Sequence, residues 1–221
     1  MQLSRLLIAS LLALCSVFAQ GQAAPAPEPS HPTSTPYTGD LSRFDYPERE
    51  GELQPQRILT LLGVKAGSSV ADIGAGGGWM TVRAAKRVGP DGVVFAEDIN
   101  PEAIKTIRER AEREHLPQVR TVLGEPDDPK LPANSVDAVV ILDAYHEIAH
   151  TDRLLHNLIP ALKPGAKLGI IDRNGNGANH GLGEAIVVRE VSAAGFRQVG
   201  RYDFVKADRE DYFLVFEHDL R

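Results

Sequence analysis

Residues 74–78 contain four glycines directly after a short apolar run, and they form a candidate ligand-binding turn. Such a turn lets a ligand approach backbone that a Cβ would block, and it leaves the N-terminus of the following helix free to contact the ligand. Asp72 lies two residues before the first glycine, where a carboxylate can pair with a cationic amino group. Glu97 and Asp98 follow about 20 residues later, where an acid can accept hydrogen bonds from ribose hydroxyls. Together these residues predict an adenosine ligand with an amino-acid tail.

The glycine cluster has two other interpretations. A tight turn without any ligand has the same composition. A dinucleotide site of an NAD-linked oxidoreductase needs a small residue at the third glycine position for close packing of helix on strand, and Trp79 stands there. The tryptophan therefore counts against NAD.

The elements around this turn alternate between strand and helix. Strand-like runs occur at 69–73, 93–96, 119–123, 136–142 and 167–171, and helical patterns occur at 53–62, 79–88, 104–114, 152–162 and 184–194. Such alternation predicts an α/β domain with a parallel sheet covered by helices on both faces. Two final strand runs, 196–205 and 211–216, predict an antiparallel C-terminal hairpin at the sheet edge, which brings the strand count to seven.

The N-terminal residues predict an export signal followed by a leader. Residues 1–24 combine Arg5, an apolar run over 6–18 and small residues, which is typical of a secretory signal peptide cleaved near Gln20 or Ala24. Residues 25–40 are rich in proline and predict a disordered leader. Residues 41–221 are then one domain in a periplasmic or secreted protein, with no stable membrane span after signal cleavage.

Charge and cysteine content exclude several kinds of site. The chain has 24 basic and 30 acidic residues, and removal of Arg5 with the signal changes the net charge from −6 to 23 − 30 = −7. An acidic protein disfavours nucleic-acid partners, whose binding depends on basic patches. Cys15 lies in the apolar run, so the remaining chain has no cysteine nucleophile, cysteine metal ligand or disulfide. The oligomeric state is not predicted.

Four segments in order resemble the class I S-adenosylmethionine-dependent methyltransferases. Residues 70–78 are similar to the first motif of that family and 94–102 to the second; residues 131–140 resemble the approach to the fourth strand, and 162–168 the turn into the fifth. The resemblance implies a Rossmann-like sheet, S-adenosyl-L-methionine as cofactor and a small-molecule acceptor. It also implies a lid in the segment before the first helix, around residues 44–49.

The same resemblance implies the residues of the cofactor site. Asp98 is the expected ribose acid, Ile99 the expected adenine contact, and Glu125 a first candidate for the adenine amino group. The full set predicted to bind the cofactor is Asp72, Gly74, Ala75, Gly76, Gly78, Asp98, Ile99, Glu125 and Asp143.

The family resemblance also implies that the methyl acceptor lies over the ends of the fourth and fifth strands. Asp143, His146 and Glu147 follow the fourth strand and are predicted as catalytic, with His146 as a base and either acid as its partner. The alternatives are that Asp143 binds the amino group of the cofactor and that His146 and Glu147 cap the next helix. His180, in a glycine-rich loop after the fifth strand, is a candidate substrate contact.

A metal-assisted alternative uses some of the same positions. Asp143, Asp172 and Asn174 fall where cation-dependent O-methyltransferases hold a hard metal ion, although Arg173 stands where that pattern has asparagine. The preferred prediction has no metal.

The sequence thus predicts an exported S-adenosylmethionine-dependent methyltransferase. Export would separate the enzyme from the cytosol, where its cofactor is made. A second hypothesis is therefore an exported, non-catalytic binder of adenosyl compounds with the same fold.

Overall fold

The computed structural model describes residues 28–206 and 210–218. Seven strands form one sheet in the order β3-β2-β1-β4-β5-β7-β6. Neighbours from β3 to β5 pair in parallel, and β7 runs antiparallel to both β5 and β6. This confirms the predicted Rossmann-like, mostly parallel sheet with an antiparallel C-terminal hairpin.

The strands agree closely with the apolar runs of the sequence. They are β1 Ser69–Ile73, β2 Val93–Asp98, β3 Val119–Leu123, β4 Val136–Leu142, β5 Leu162–Arg173, β6 Phe196–Tyr202 and β7 Asp211–His218. The helices are α1 Arg49–Leu53, α2 Pro55–Leu61, α3 Trp79–Val88, α4 Pro101–Arg113, α5 Thr151–Leu158 and α6 Glu184–Ala193. Asn100 caps α4, because its Oδ1 accepts the Glu102 backbone N–H at 3.0 Å.

Two apolar cores cover the two faces of the sheet. Alternation along β1 sends Val70 to the core beneath α2 and α3, and Ala71 and Ile73 to the core beneath α5 and α6. Strands β1 to β5 are parallel, so their carboxyl ends lie at the same edge of the sheet. The glycine turn directly follows β1 at this edge. This edge carries the candidate site.

The helix predicted over 53–62 is α2, and a further short helix, α1, precedes it. Gln54 takes a left-handed conformation, with φ 49°, between α1 and α2, and Pro55 begins α2. The break agrees with the proline, which disfavours a helical conformation for the residue before it. It turns α1 toward the glycine turn.

The segment before α1 packs across the edge that carries the site. We call residues 30–38 the strap. The Ser30 N–H donates to the Ala149 carbonyl at 2.7 Å, and His31, which is buried, contacts Glu190 at 3.2 Å. A short 3-10 helix, Leu41–Phe44, follows the strap. The proline-rich composition of this stretch did not indicate these contacts.

The predicted signal peptide lies outside the described residues. Among the residues that the structure describes, none of the helices combines the length and apolar character required to cross a bilayer.

Candidate functional site

The glycine turn after β1 adopts backbone conformations that side chains disfavour. Gly74, Gly76 and Gly78 have φ values of 68°, 54° and 75°. A Cβ at Gly74 would lie 2.6 Å from the Cβ of Ala144, and one at Gly78 would lie 3.3 Å from Ile107. The sequence therefore needs glycine here to bring the turn against β4 and α4.

Asp98 fastens this turn to the end of β2. Its Oδ2 accepts the Gly76 N–H at 2.8 Å, and its Oδ1 accepts the Asn100 N–H at 2.9 Å. Burial raises the pKa of the Asp98 carboxyl, and these backbone donors oppose the increase. Each carboxylate oxygen has a second lone pair, so Asp98 can still accept hydrogen bonds from a ligand.

Two further carboxyl groups lie buried beside Asp98. Burial raises the pKa of Asp72 to about 6, although the Thr81 hydroxyl donates to it at 2.6 Å. Burial and the charge of Asp98 raise the pKa of Glu97 to about 8, and the Gly74 N–H lies 3.4 Å from its Oε2. Three acids in one buried cluster favour a ligand that carries positive charge and hydroxyl donors.

A cavity of about 740 Å³ extends from this cluster to the end of β4. Every residue predicted to bind the cofactor, with the exception of Gly78, lines it. Ile99 is 43% exposed, so its side chain can contact a flat apolar group of a ligand. The side chain of Glu125 pairs with Lys130 at 3.2 Å.

Asp143 lines this cavity in a left-handed conformation, with φ 52°. Its Oδ2 lies 3.4 Å from Arg49 Nη2, and its Oδ1 lies 3.7 Å from Lys206 Nζ. Arg49 also lies over the Trp79 ring at 4.6 Å. Because two cations accompany Asp143, a cationic ligand would have to compete with them for this carboxylate.

The three residues predicted as catalytic lie together but are not equivalent. Asp143 and Glu147 line the cavity, whereas the side chain of His146 lies behind its wall and is 5% exposed. Burial raises the pKa of Glu147 to about 7. The short 3-10 helix Tyr145–Glu147 carries His146 and Glu147.

His146 is oriented by Asp172 of β5, a partner that the sequence analysis did not assign to it. His146 Nδ1 lies 2.8 Å from Asp172 Oδ1, and the His146 backbone N–H donates to Oδ2 at 3.1 Å. Burial opposes the charged imidazole, but the hydrogen bond and charge of Asp172 outweigh it and raise the pKa of His146. Adjacent parallel strands end side by side, which was the available sequence signal for this pair.

The hard-metal alternative is not supported by these contacts. Asp172 Oδ1 lies 2.8 Å from His146 Nδ1 and accepts the Arg173 backbone N–H, also at 2.8 Å. Asn174 Oδ1 accepts the Glu184 N–H at 3.2 Å, at the start of α6. Asp143 is paired with cations, so the three predicted ligands serve other partners.

Known proteins are similar to this chain in sequence and in fold. A family model described as a methyltransferase domain matches residues 70–165. The crystal structure of a SAM-dependent methyltransferase from Aquifex aeolicus is similar with a TM-score of 0.73 and 26% identity, over 80% of this chain and 95% of that chain. Residues 70–165 belong to this methyltransferase family, and the fold is that of the class I S-adenosylmethionine-dependent methyltransferases. The cofactor that this membership implies is S-adenosyl-L-methionine.

Two other similar proteins differ from this chain in length or in the activity that they are named for. The ubiquinone/menaquinone biosynthesis C-methyltransferase UbiE of Pseudomonas putida is 30% identical over 115 residues, which are 52% of this chain. The chain spans 45% of the length of that curated relative. The [4+2]-cyclase SpnF has a TM-score of 0.63 at 14% identity, over 75% of this chain and 79% of that chain, and shows the fold alone.

The cavity fits the cofactor of this family. The ribose hydroxyls of S-adenosylmethionine would donate to Asp98, and its sulfonium and amino groups would supply positive charge next to the buried acids. The glycine turn offers the open backbone that the cofactor requires, since Gly76 has no side-chain contact closer than 4.0 Å to an added Cβ. Asp72, Glu97 and Asp98 are therefore the residues that would hold it.

Proposed function

We propose that this protein transfers a methyl group from S-adenosylmethionine to a small-molecule acceptor. The observation that carries the proposal is a single cavity with two chemically different ends. One end has the glycine turn and the acids of β1 and β2, and the other has Asp143, Glu147 and Ile148. A volume of about 740 Å³ is within the range of roughly 300 to 1,000 Å³ that small-ligand sites occupy.

The cover of the cavity favours a small acceptor over a polymer. Strap residues, among them Ser34 and Tyr37, and the 3-10 helix residues Leu41 and Phe44 line the cavity from above. A polynucleotide would need these segments removed. The acidic net charge of the chain, −6, also opposes phosphate binding.

The chain's own contribution is to position the reactants and to exclude water. When bound, S-adenosylmethionine supplies a methyl group on a positively charged sulfur, which keeps the electron pair of the broken carbon–sulfur bond. Asp143 and Glu147 lie where the acceptor would bind, and His146, fixed by Asp172, stands behind them. The apolar walls, which include Trp79 and Leu154, favour an acceptor with an apolar body.

The experiment is transfer of a labelled methyl group. The purified protein is incubated with methyl-labelled S-adenosylmethionine and with separate fractions of small metabolites, RNA and protein. Label should enter the small-metabolite fraction, with one S-adenosylhomocysteine formed for each methyl transferred. Label in RNA or protein would contradict the small acceptor, and cofactor binding without transfer to any fraction would favour the non-catalytic binder.

A further inference from the structure

Two histidines lie beside Glu147, which lines the acceptor end of the cavity. His146 Nε2 lies 3.9 Å from Glu147 Oε1, and His180 Nδ1 lies 3.8 Å from the same oxygen. The donor atoms of all three residues lie within 4.8 Å of one another. The two imidazole rings are perpendicular, with centroids 5.9 Å apart.

The orientation of His146 is that of a metal ligand. Its Nδ1 is held by Asp172, which is fully buried, so Nε2 is the nitrogen that faces Glu147. Histidines that bind metals usually give their other ring N–H to a carboxylate, which fixes the tautomer and raises the basicity of the ligating nitrogen. Asp172 supplies this arrangement.

His180 is brought to the cluster by the strap. Ser34, which is buried, accepts the His180 backbone N–H at 2.8 Å and donates to the Gly177 carbonyl at 2.6 Å. The Ser34 N–H also reaches the carbonyl of His146 at 3.3 Å. One serine therefore joins the two segments that carry the histidines.

We propose that His146, Glu147 and His180 bind a divalent transition-metal ion, with zinc as the best match. Two histidines and one carboxylate that leave a fourth position open are a typical catalytic zinc set. Ligand distances of about 2.0 to 2.2 Å place two donors on one tetrahedral ion about 3.4 Å apart. The pairs at 3.8 and 3.9 Å need to close by about 0.5 Å, and the two histidine nitrogens, which lie within 4.8 Å of each other, by up to about 1.4 Å. The side chain of His180 is 64% exposed, so the movement falls on an exposed group.

The ion would receive its fourth ligand from the acceptor, and this part of the inference rests on the proposed function. Of the three ligands only Glu147 lines the cavity, so the ion would meet the acceptor through an open position on the Glu147 side. The class of acceptor is then a hydroxyl-bearing molecule with an apolar body, because a bound cation lowers the pKa of a coordinated hydroxyl. The hydroxyl proton passes to solvent as the acceptor enters, before water is excluded. A lone pair of the acceptor oxygen then forms the new bond to the methyl carbon while the carbon–sulfur bond breaks, and the sulfur keeps its electron pair.

The test is a titration of the metal-free full-length protein with Co²⁺, followed by visible absorption and calorimetry, with Zn²⁺ as competitor and Mg²⁺ as the oxygen-preferring control. One Co²⁺ should bind per chain and be displaced by Zn²⁺ and not by Mg²⁺. His180→Ala should lose this binding, while His156→Ala, on the exposed face of α5, should retain it. Asp172→Asn should weaken it by roughly 10- to 100-fold, as positioning residues behind a ligand do.

A parallel titration with S-adenosylhomocysteine separates this inference from the proposed function. Failure of the wild-type protein to bind one Co²⁺, or equal affinity in His180→Ala, would overturn the metal site even where S-adenosylhomocysteine binds normally. Absence of S-adenosylhomocysteine binding would instead count against the proposed function, whatever the metal result. Since the side chain of His180 is largely exposed, His180→Ala should fold even where His146→Ala, which removes a buried side chain, does not. His180→Ala is therefore the deciding variant.

Discussion

Asp98 is the residue on which the cofactor end depends most. It holds Gly76 and Asn100 in the free protein, and its remaining lone pairs face the cavity. We expect Asp98→Ala to weaken S-adenosylhomocysteine binding by about 1 to 3 kcal/mol, because the ribose hydroxyls lose a charged acceptor. Calorimetric titration measures the change. Asp91→Ala, an exposed acid before β2, is the matched control, and equal affinity of both variants would exclude Asp98 as the ribose acid.

Glu97 predicts a pH dependence of stability. Its pKa is about 8 in the folded protein and about 4.3 in an unfolded chain. The native state thus holds a proton that the unfolded state has released, so the free energy of unfolding should fall as pH rises from about 4.3 to about 8 and then level.

Glu97→Gln should remove this part of the pH dependence and stabilise the protein at alkaline pH by on the order of a few kcal/mol. Urea unfolding across this pH range measures it. The amide fits the same space, where Gly124 has no Cβ to collide with the side chain. A variant whose stability declines with pH as steeply as that of the wild type would contradict the buried, protonated Glu97.

The residues of the site were predictable to different degrees. Glycines and acids at strand ends have a sequence signature, so the residues of the cofactor end could be named. The pairing of His146 with Asp172 joins positions 26 residues apart and depends on which strands are neighbours. Arg49 at Asp143 was not predicted because α1 turns at Gln54, which the hydrophobic pattern does not show.

At the scale of elements, a single substitution can displace the strap. A Cβ at Gly177 would lie 1.6 Å from the Pro32 carbonyl oxygen, so Gly177→Ala should displace the strap. Gly165→Ala is the matched control, since its φ of 78° is also left-handed but an added Cβ meets nothing within 4 Å. Any effect beyond that of the control belongs to the strap and not to backbone strain.

We expect Gly177→Ala to accelerate proteolysis within residues 28–40 and to increase the dissociation rate of S-adenosylhomocysteine several-fold, because the strap lines the cavity. Limited proteolysis and stopped-flow measurements test both effects. Identical behaviour of the two glycine variants would show that the strap does not cover the site.

The strands and most helices were predictable because apolar periodicity decides them locally. Helix α3 and strands β1, β3 and β4 have the predicted bounds. The position of the strap could not be predicted in this way, because single polar contacts hold it, such as those of Ser34 with Gly177 and His31 with Glu190. The proline-rich composition of this segment does not indicate which residues it contacts.

At the scale of the whole molecule, we propose that the chain is exported, on the basis of Arg5, the apolar run over 6–18 and the small residues that follow. The exported protein should begin near Gln20 or Ala24. N-terminal sequencing of the protein from the periplasmic fraction or the medium tests this. Recovery of the chain with Met1 intact in the cytosol would contradict export and would remove the separation of enzyme from cofactor.

The central claim is that the cavity holds S-adenosylmethionine, and equilibrium unfolding with and without ligand tests it most directly. At about 100 times the dissociation constant, S-adenosylmethionine or S-adenosylhomocysteine should raise the free energy of unfolding by roughly 2.7 kcal/mol, and NAD should have no effect. At the same ligand concentration, Asp98→Ala should reduce this increase to roughly 0.3 to 1.8 kcal/mol, and Asp91→Ala should keep it in full. Stabilisation by NAD, or by none of these compounds, would contradict the assignment of the cofactor site.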